Sequence, residues 1–310
     1  MVLVFRGEDV RRAVSPQVAY EAVRAAFVAH ARGEWTMPPK VYVSSYPAGD
    51  FRAMPALGGG HAVLKWVTSF PGNPARGLPT VTGLVLLSDA EDGRLLALLD
   101  AAAVTALRTA AAAVLAADTL ARPDTRTYAV VGCGVNGAET VRLLRALGRD
   151  CLAYDVDPER AAAVAAEHGA RAAAREEALA CDVVVTVTPG AQPVFGEGSL
   201  RPGQHVSLMG ADGPGKAEVA LAELRRARLF CDDWEQASHG GELATAVERG
   251  LVTRADVTEL GAVLTGSAPG REGSGEITLF DSTGLAIQDL AIAKAAYAQT
   301  SRLELETIAL

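Results

Sequence analysis

The chain has 310 residues, 49% of them apolar, and a formal charge of −8. That length suits two domains rather than one core, and the apolar content excludes a disordered chain. The acidic balance without a basic block argues against nucleic acid or an anionic membrane surface as partner, and Asp, Arg or Gly interrupts every apolar run before the roughly 20 residues of a membrane span.

The opening MVLVFRGEDVRR has no cationic segment leading into an apolar run and a small-residue cleavage site, so no secretory signal is read and the cytoplasm is the expected location. Ser15-Pro16 is an N-cap followed by proline at the first helical position, and the apolar spacing from Val18 to Ala29 predicts an amphipathic helix ending at Gly33. VYVSSY, FRAMPAL, HAVLKWVTSF, TVTGLVLLSD and RLLALLD follow, separated by Gly, Pro, Asn and Asp, and read as a mostly antiparallel sheet. From Ala101 an alanine-rich stretch predicts a long helix that stops before Pro123 and bridges two domains.

Beyond Pro123, strands alternate with helices: YAVVGCG, a helix to Gly148, DCLAYDVD, PERAAAVAAEHG, DVVVTVTPG and QHVSLMGADG. This is the βα alternation of a parallel, doubly wound sheet. EITLFDSTG then leads into the apolar helix LAIQDLAIAKAAYAQTSRL, whose natural place is back on the first domain, making that domain discontinuous. The expected fold class is therefore α/β, a Rossmann sheet inserted into a discontinuous α+β domain. Cys133, Cys151, Cys181 and Cys231 are spread singly and read as reduced core thiols. Neither they nor the five histidines fall at metal-ligand spacing, and no metal site is expected.

Gly132-Cys133-Gly134-Val135-Asn136-Gly137 follows the strand YAVV and opens a helix, the context in which G-x-G-x-x-G binds a dinucleotide. Gly132 permits the tight turn, Gly134 lets the backbone approach a pyrophosphate, and Gly137 lets helix pack on strand, while free N–H groups at the helix start meet the phosphates. Asp155, at the end of the next strand, is placed to accept from the ribose hydroxyls and to repel a 2′-phosphate, which favours NAD over NADP. Asp157 is the other candidate for the ribose, and Arg160 softens the exclusion of NADP.

Arg52 and Lys65 interrupt apolar strands and Arg108 an alanine-rich helix, where each charge either meets an anion such as a substrate carboxylate or is a solvated charge on an amphipathic face. Asp212, in Gly-Ala-Asp-Gly-Pro-Gly after a strand of the βα series, is either a base at the ligand edge of the sheet or a turn residue. Ser282 and Thr283 either cap the last helix or face the nicotinamide amide.

Taken in order, FRAMPAL, LKWVTSFPGN, GLPTVTGLVLLSD, ALRTAAAA, VVGCGVNG, GADGPGKAEV, QASHGGEL and ITLFDSTGLAIQDLAIAK resemble the ornithine cyclodeaminase and mu-crystallin family over nearly the whole chain. The resemblance implies a homodimer with a substrate and dimerisation domain made from both termini and a Rossmann domain between them. The domains are accordingly expected at 1–121 with 283–310, and at 122–282. It places Lys65 beside the substrate carboxylate as proton donor or acceptor, Arg52 as its clamp and Asp212 as the catalytic acid. Thr80, Arg108, Val135, Asn136, Asp155, Lys216 and Ser282 fall on positions that contact the dinucleotide.

Within that family, GADGPGKAEV and QASHGGE resemble the archaeal-type alanine dehydrogenases, and Gly213 stands where ornithine cyclodeaminases usually carry cysteine. The expected function is NAD-dependent oxidative deamination of a small L-amino acid, or its reverse, through an imine. The alternatives are ornithine cyclodeamination to proline and ammonia, reduction of a cyclic imine, and dinucleotide-dependent ligand binding without catalysis.

Overall fold

Strand alternation in the first third of the chain sorts its side chains cleanly. The computed structural model, which describes residues 1–190, 192–211, 213 and 215–309, forms β2 (Val41–Ser45), β3 (Gly49–Gly58), β4 (His61–Ser69), β5 (Val81–Asp89) and β6 (Leu95–Asp100) there. These pair antiparallel in sequence order, with Ala53 opposite Trp66 and Trp66 opposite Leu84. One face carries the buried Met54, Ala56, Val63, Val67, Val85 and Leu87. The opposite face carries Leu57, Leu64, Trp66 and Leu84, all exposed. The sheet is mostly antiparallel, as expected, with one parallel pair: β1 (Val2–Phe5) pairs parallel with β6 and antiparallel with β15 (Glu306–Ile308). Those two short strands, β15 at the edge and β1 beside it, carry no turn signal or long alternation that the sequence could display.

Two helices cover the inner face. Pro16–Ala31 begins at the Ser15 cap, whose side chain accepts from Val18 N, and Ala286–Tyr297 packs against that helix and against β3 and β4. Ala286–Tyr297 is buried nearly all round, so its two buried polar residues, Gln288 and Asp289, lie in the core and need partners there.

The second sheet is wholly parallel, in the order β13 (Val257–Glu259), β12 (Arg228–Cys231), β14 (Thr278–Asp281), β11 (His205–Leu208), β10 (Val183–Thr186), β7 (Tyr128–Val131), β8 (Cys151–Tyr154) and β9 (Arg171–Ala172). β7, β10, β11 and β14 are short and almost entirely buried, as strands covered by helices on both faces must be. The fold is thus α/β, a Rossmann sheet with a second, mixed-sheet unit.

The chain divides into two compact units, Met1–Arg108 with Leu285–Leu310, and Thr109–Gly284. The first division falls inside the helix Ala101–Leu120. Among the described residues this is the one helix with the length and hydropathy of a membrane span, and most of it is buried inside the fold. Its run Ala110–Ala117 is buried on every side, as expected of a core helix that is apolar all round.

Candidate active site

In the Thr109–Gly284 unit, β7 ends at Val131 and the chain turns through Gly132 at φ +98°, a conformation that disfavours any side chain. A Cβ on Gly132 would lie 2.6 Å from Val187 O, and one on Gly137 only 1.8 Å from Gly132 O, so the helix Val135–Ala146 packs directly on the turn. Gly134 differs: a Cβ there would meet nothing within 4 Å. That side is open, Val135 is 62% exposed, and the helix start has no side-chain cap on its N–H groups. An uncapped helix N-terminus under an open glycine is the cradle a pyrophosphate needs.

Asp155 lies just beyond β8 and is buried, its Oδ2 accepting from Cys133 N at 2.7 Å and its Oδ1 from Asp157 N at 2.9 Å. It therefore ties the glycine turn to the next strand end. The Arg160 guanidinium stands 3.7 Å from it. Asp157, the other ribose candidate, is the N-cap of the helix Pro158–His168 and accepts from Glu159 N and Arg160 N. Cys133 is inert, with burial pushing its thiol up to about 12.

Farther along the carboxyl edge of the same sheet lies a set of buried acids that the sequence reading missed. Glu218 accepts from Thr186 Oγ1, Thr188 N, Thr188 Oγ1 and Gly210 N at 2.7–2.8 Å, joining the ends of β10 and β11. Burial raises its pKa against those hydrogen bonds. Glu242 in turn accepts from Glu218 N and Val219 N, and burial pushes its carboxyl up to about 8. Asp232 accepts from Ser282 Oγ, Thr283 Oγ1 and Gly284 N, so Ser282 is buried and engaged there rather than capping a helix. Lys216 is half-buried in the segment that Glu218 anchors, and Asp212 lies outside the described residues. A cavity of about 570 Å³ in this unit, lined by Tyr128, Arg145, Cys151 and Arg171 among others, opens at the amino ends of β7 and β8. It faces away from Gly132 and Asp155, which follow the carboxyl ends of those strands.

In the other unit, Lys65 points inward from β4 and is only 1% exposed. Its Nζ donates to Thr105 Oγ1 at 2.6 Å and to Asp289 Oδ1 at 3.0 Å. Burial lowers its pKa from 10.5 to about 8; Asp289 opposes that fall, and the Arg108 and Arg52 charges add to it. Arg108 Nε stands 3.7 Å from the same Asp289 oxygen, and its guanidinium donates to Gln288 Oε1 at 3.4 Å. Arg52 is buried on β3, its Nε donating to Asp50 Oδ1 at 2.6 Å and a second nitrogen to Asp50 Oδ2 at 3.3 Å, with Tyr42 against its plane. Arg108 Nε, Gln288 Nε2 and Asp289 Oδ2 are buried without a hydrogen-bond partner. Unpaired polar atoms concentrated at one place in a core mark a ligand position.

The structure thus brings Arg52, Lys65 and Arg108 into one cluster; Thr80 lies one residue before β5, with its carbonyl bound by Phe70 N. Asp50, Thr105, Gln288 and Asp289 were not singled out from the sequence. The signal for Asp289 was available: a Gln-Asp pair in an otherwise apolar helix is the same anomaly that drew attention to Lys65 on its strand.

A parallel sheet, a G-x-G-x-x-G turn and an acid beyond the next strand define the Rossmann dinucleotide class. The chain belongs to the ornithine cyclodeaminase/mu-crystallin family, which its residues 3–303 match. It is 44% identical over 304 residues to the alanine dehydrogenase of Archaeoglobus fulgidus, covering 95% of this chain and 94% of that one. It is 32% identical over 308 residues to the iminosuccinate reductase of Paracoccus denitrificans, covering 95% of each. Among solved structures, an archaeal alanine dehydrogenase dimer with bound NAD superposes with a TM-score of 0.93, at 42% identity and 99% coverage of both chains.

Proposed function

We propose that this chain is an NAD-dependent amino-acid dehydrogenase of the alanine dehydrogenase kind, moving hydride between the α-carbon of a small L-amino acid and the nicotinamide. The observation that carries the reading is the buried cluster of Arg52, Lys65 and Arg108 with three unpaired polar atoms beside it. A substrate carboxylate is the group such a cluster lacks. The likeness to a dehydrogenase with bound NAD supports it.

Gly132, Gly134, Val135, Asn136 and Gly137 would hold the pyrophosphate on the uncapped helix start, and Asp155 the ribose. When bound, NAD supplies the hydride acceptor. Thr80, Lys216 and Ser282 are assigned to the dinucleotide on the family resemblance. Arg52 and Lys65 fix the substrate carboxylate and so orient its Cα–H, and Arg108, sharing Asp289 with Lys65, is better read with them than with a phosphate. Lys65 holds a proton at Nζ near neutral pH, with a pKa of about 8 that lets it release and regain that proton at little cost. Asp212 or Lys65 is assigned, on the family resemblance, to activating water against the imine, which leaves ammonia and a 2-oxo acid.

We further infer a homodimer, as in the solved relative. Val41, Val43, Leu57, Leu64, Trp66 and Leu84 share the face of the mixed sheet turned away from Lys65, and all are exposed. Apolar patches of that kind are normally covered by a partner. Four free, buried cysteines fit a reducing cytoplasm. The substrate and dimerisation domain expected at 1–121 with 283–310 is assigned to the unit Met1–Arg108 with Leu285–Leu310, which these placements support.

The test is turnover of NAD with L-alanine and with L-ornithine. Net NADH with pyruvate and ammonia in equal amounts supports the dehydrogenase. Rapid proline formation from ornithine at catalytic NAD, with no NADH from small amino acids, would replace it by the cyclodeaminase.

A further inference from the structure

Glu218 is fully buried at the carboxyl edge of the parallel sheet, the edge that also carries the glycine turn. Its backbone is held on both sides: its N–H donates to Glu242, and its carbonyl accepts from Val194 N at 2.6 Å and Phe195 N at 3.1 Å. From that anchor each carboxyl oxygen reaches a different strand end. Oε1 accepts from Thr188 N at 2.8 Å, two residues past β10, and Oε2 from Gly210 N at 2.7 Å, two residues past β11. Two threonine hydroxyls join them, Thr188 Oγ1 on Oε1 and Thr186 Oγ1 on Oε2. A backbone N–H can only donate, so both oxygens must offer a lone pair. A carboxyl group does so in either protonation state, and an amide does not.

The peptide between Val187 and Thr188 carries this restraint to the glycine turn. Its N–H is the group bound by Glu218, and its carbonyl oxygen lies 2.6 Å from where a Cβ on Gly132 would stand. On the other side Thr188 O presses on Gly210, where a Cβ would overlap it, and the Gly210 N–H is the second backbone group that Glu218 holds. Gly132 O in turn backs Gly137 in the first turn of the helix Val135–Ala146. Contacts this close leave no slack, so a shift at Val187 and Thr188 is passed to Gly132 and on to the helix start.

We propose that Glu218 is a positioning residue for the dinucleotide: it holds the Val187–Thr188 peptide against Gly132 and so sets the turn and helix start that receive the pyrophosphate. The proposal rests on the reading of Gly132–Gly137 as the cofactor turn. Glu218 acts through the backbone rather than by touching the cofactor. Glutamine in its place keeps the size but loses an acceptor. Whichever way that amide turns, its NH2 faces a backbone N–H, of Thr188 or of Gly210, and Thr188 is released on one side.

The experiment measures Kd for NAD by calorimetry on the full-length wild type, Glu218→Gln, Glu218→Asp and Thr186→Val, with Tm for each. Glu218→Gln should raise Kd at least about tenfold, in the range expected when a buried N–H loses its acceptor. Glu218→Asp keeps two acceptor oxygens on a shorter stem and should raise Kd by about threefold, which decides the matter if the glutamine variant does not fold. Thr186→Val takes a buried hydroxyl from the same carboxyl group and leaves both backbone bonds, so it should lower Tm while Kd stays within about twofold. A merely structural carboxyl group would move Tm alone. Wild-type Kd in the Glu218 variants that fold, or a rise in Thr186→Val as large as theirs, overturns the proposal and leaves the cofactor turn standing. A wild type that binds no NAD refutes the cofactor turn and the proposal with it.

Discussion

Replacing Asp289 by Asn isolates the pair that holds the proton on Lys65. The two groups meet at 3.0 Å with exposures of 1% and 0%. At an effective dielectric of about 20 a pair at roughly 4 Å attracts by about 4 kcal/mol, equivalent to about three pH units at about 1.4 kcal/mol each. Asn retains size and one acceptor, which offsets part of that, so the expected fall in the Lys65 pKa is about one to two units. From about 8 in the wild type, the pKa would fall to about 6–7, leaving about half or more of the amine neutral at pH 7. Carboxylate binding needs the charged amine, so it is lost as pH rises through the Lys65 pKa, and in Asp289→Asn that loss comes at lower pH. The assay is the pH dependence of kcat/KM for the amino acid, with Kd for NAD as control because Asp155 and the glycine turn lie in the other unit. The basic limb should move down by about one to two units while Kd for NAD stays unchanged. Asp289→Glu should move it less, and Lys65→Ala should abolish turnover. A basic limb that stays in place in Asp289→Asn, or moves up, would refute the reasoning.

The glycine turn makes a paired prediction. Gly137→Ala places a methyl 1.8 Å from Gly132 O and should lower Tm by several degrees and abolish NAD binding, whereas Gly134→Ala meets no atom and should keep Tm but weaken NAD at least about tenfold by blocking the phosphate approach. Equal effects on Tm would show that the open side of Gly134 is not the cofactor side. Glu242 gives a pH prediction of defined sign. With its folded pKa raised to about 8 from 4.5, the folded chain binds more protons there than the unfolded chain between those values, so this residue makes stability fall as pH rises through that window. Glu242→Gln should flatten denaturant-derived stability against pH between about 5 and 8 by up to one proton's slope, and an unchanged slope would mean that Glu242 is ionised in the fold.

The dinucleotide half was legible because its chemistry is local. Turn, helix start and acid lie within one βαβ unit, and each is imposed by backbone geometry: Gly132 by its positive φ, Gly137 by helix contact, Asp155 by two backbone N–H groups across 22 residues or fewer. The parallel sheet was legible for the same reason, since each of its main strands is a short apolar run ahead of a helix. The edge strands β9, β13 and β15, and β1 beside β15, were not, because each spans two to four residues and is defined by its neighbour rather than by its own pattern.

The substrate half is written in long-range pairs. Lys65 and Asp289 are 224 residues apart, and the sequence shows each only as a charge in apolar surroundings, without saying which opposite charge it meets. Arg52 illustrates the limit from the other side. Its anomaly was visible and its need for an anion was inferred, yet Asp50 two residues away already meets that need. On a strand, positions i and i+2 share a face, so Asp50 and Arg52 were bound to be neighbours from the moment β3 was recognised. A buried cation in a sequence therefore argues for a ligand only after carboxylates on the same face have been counted.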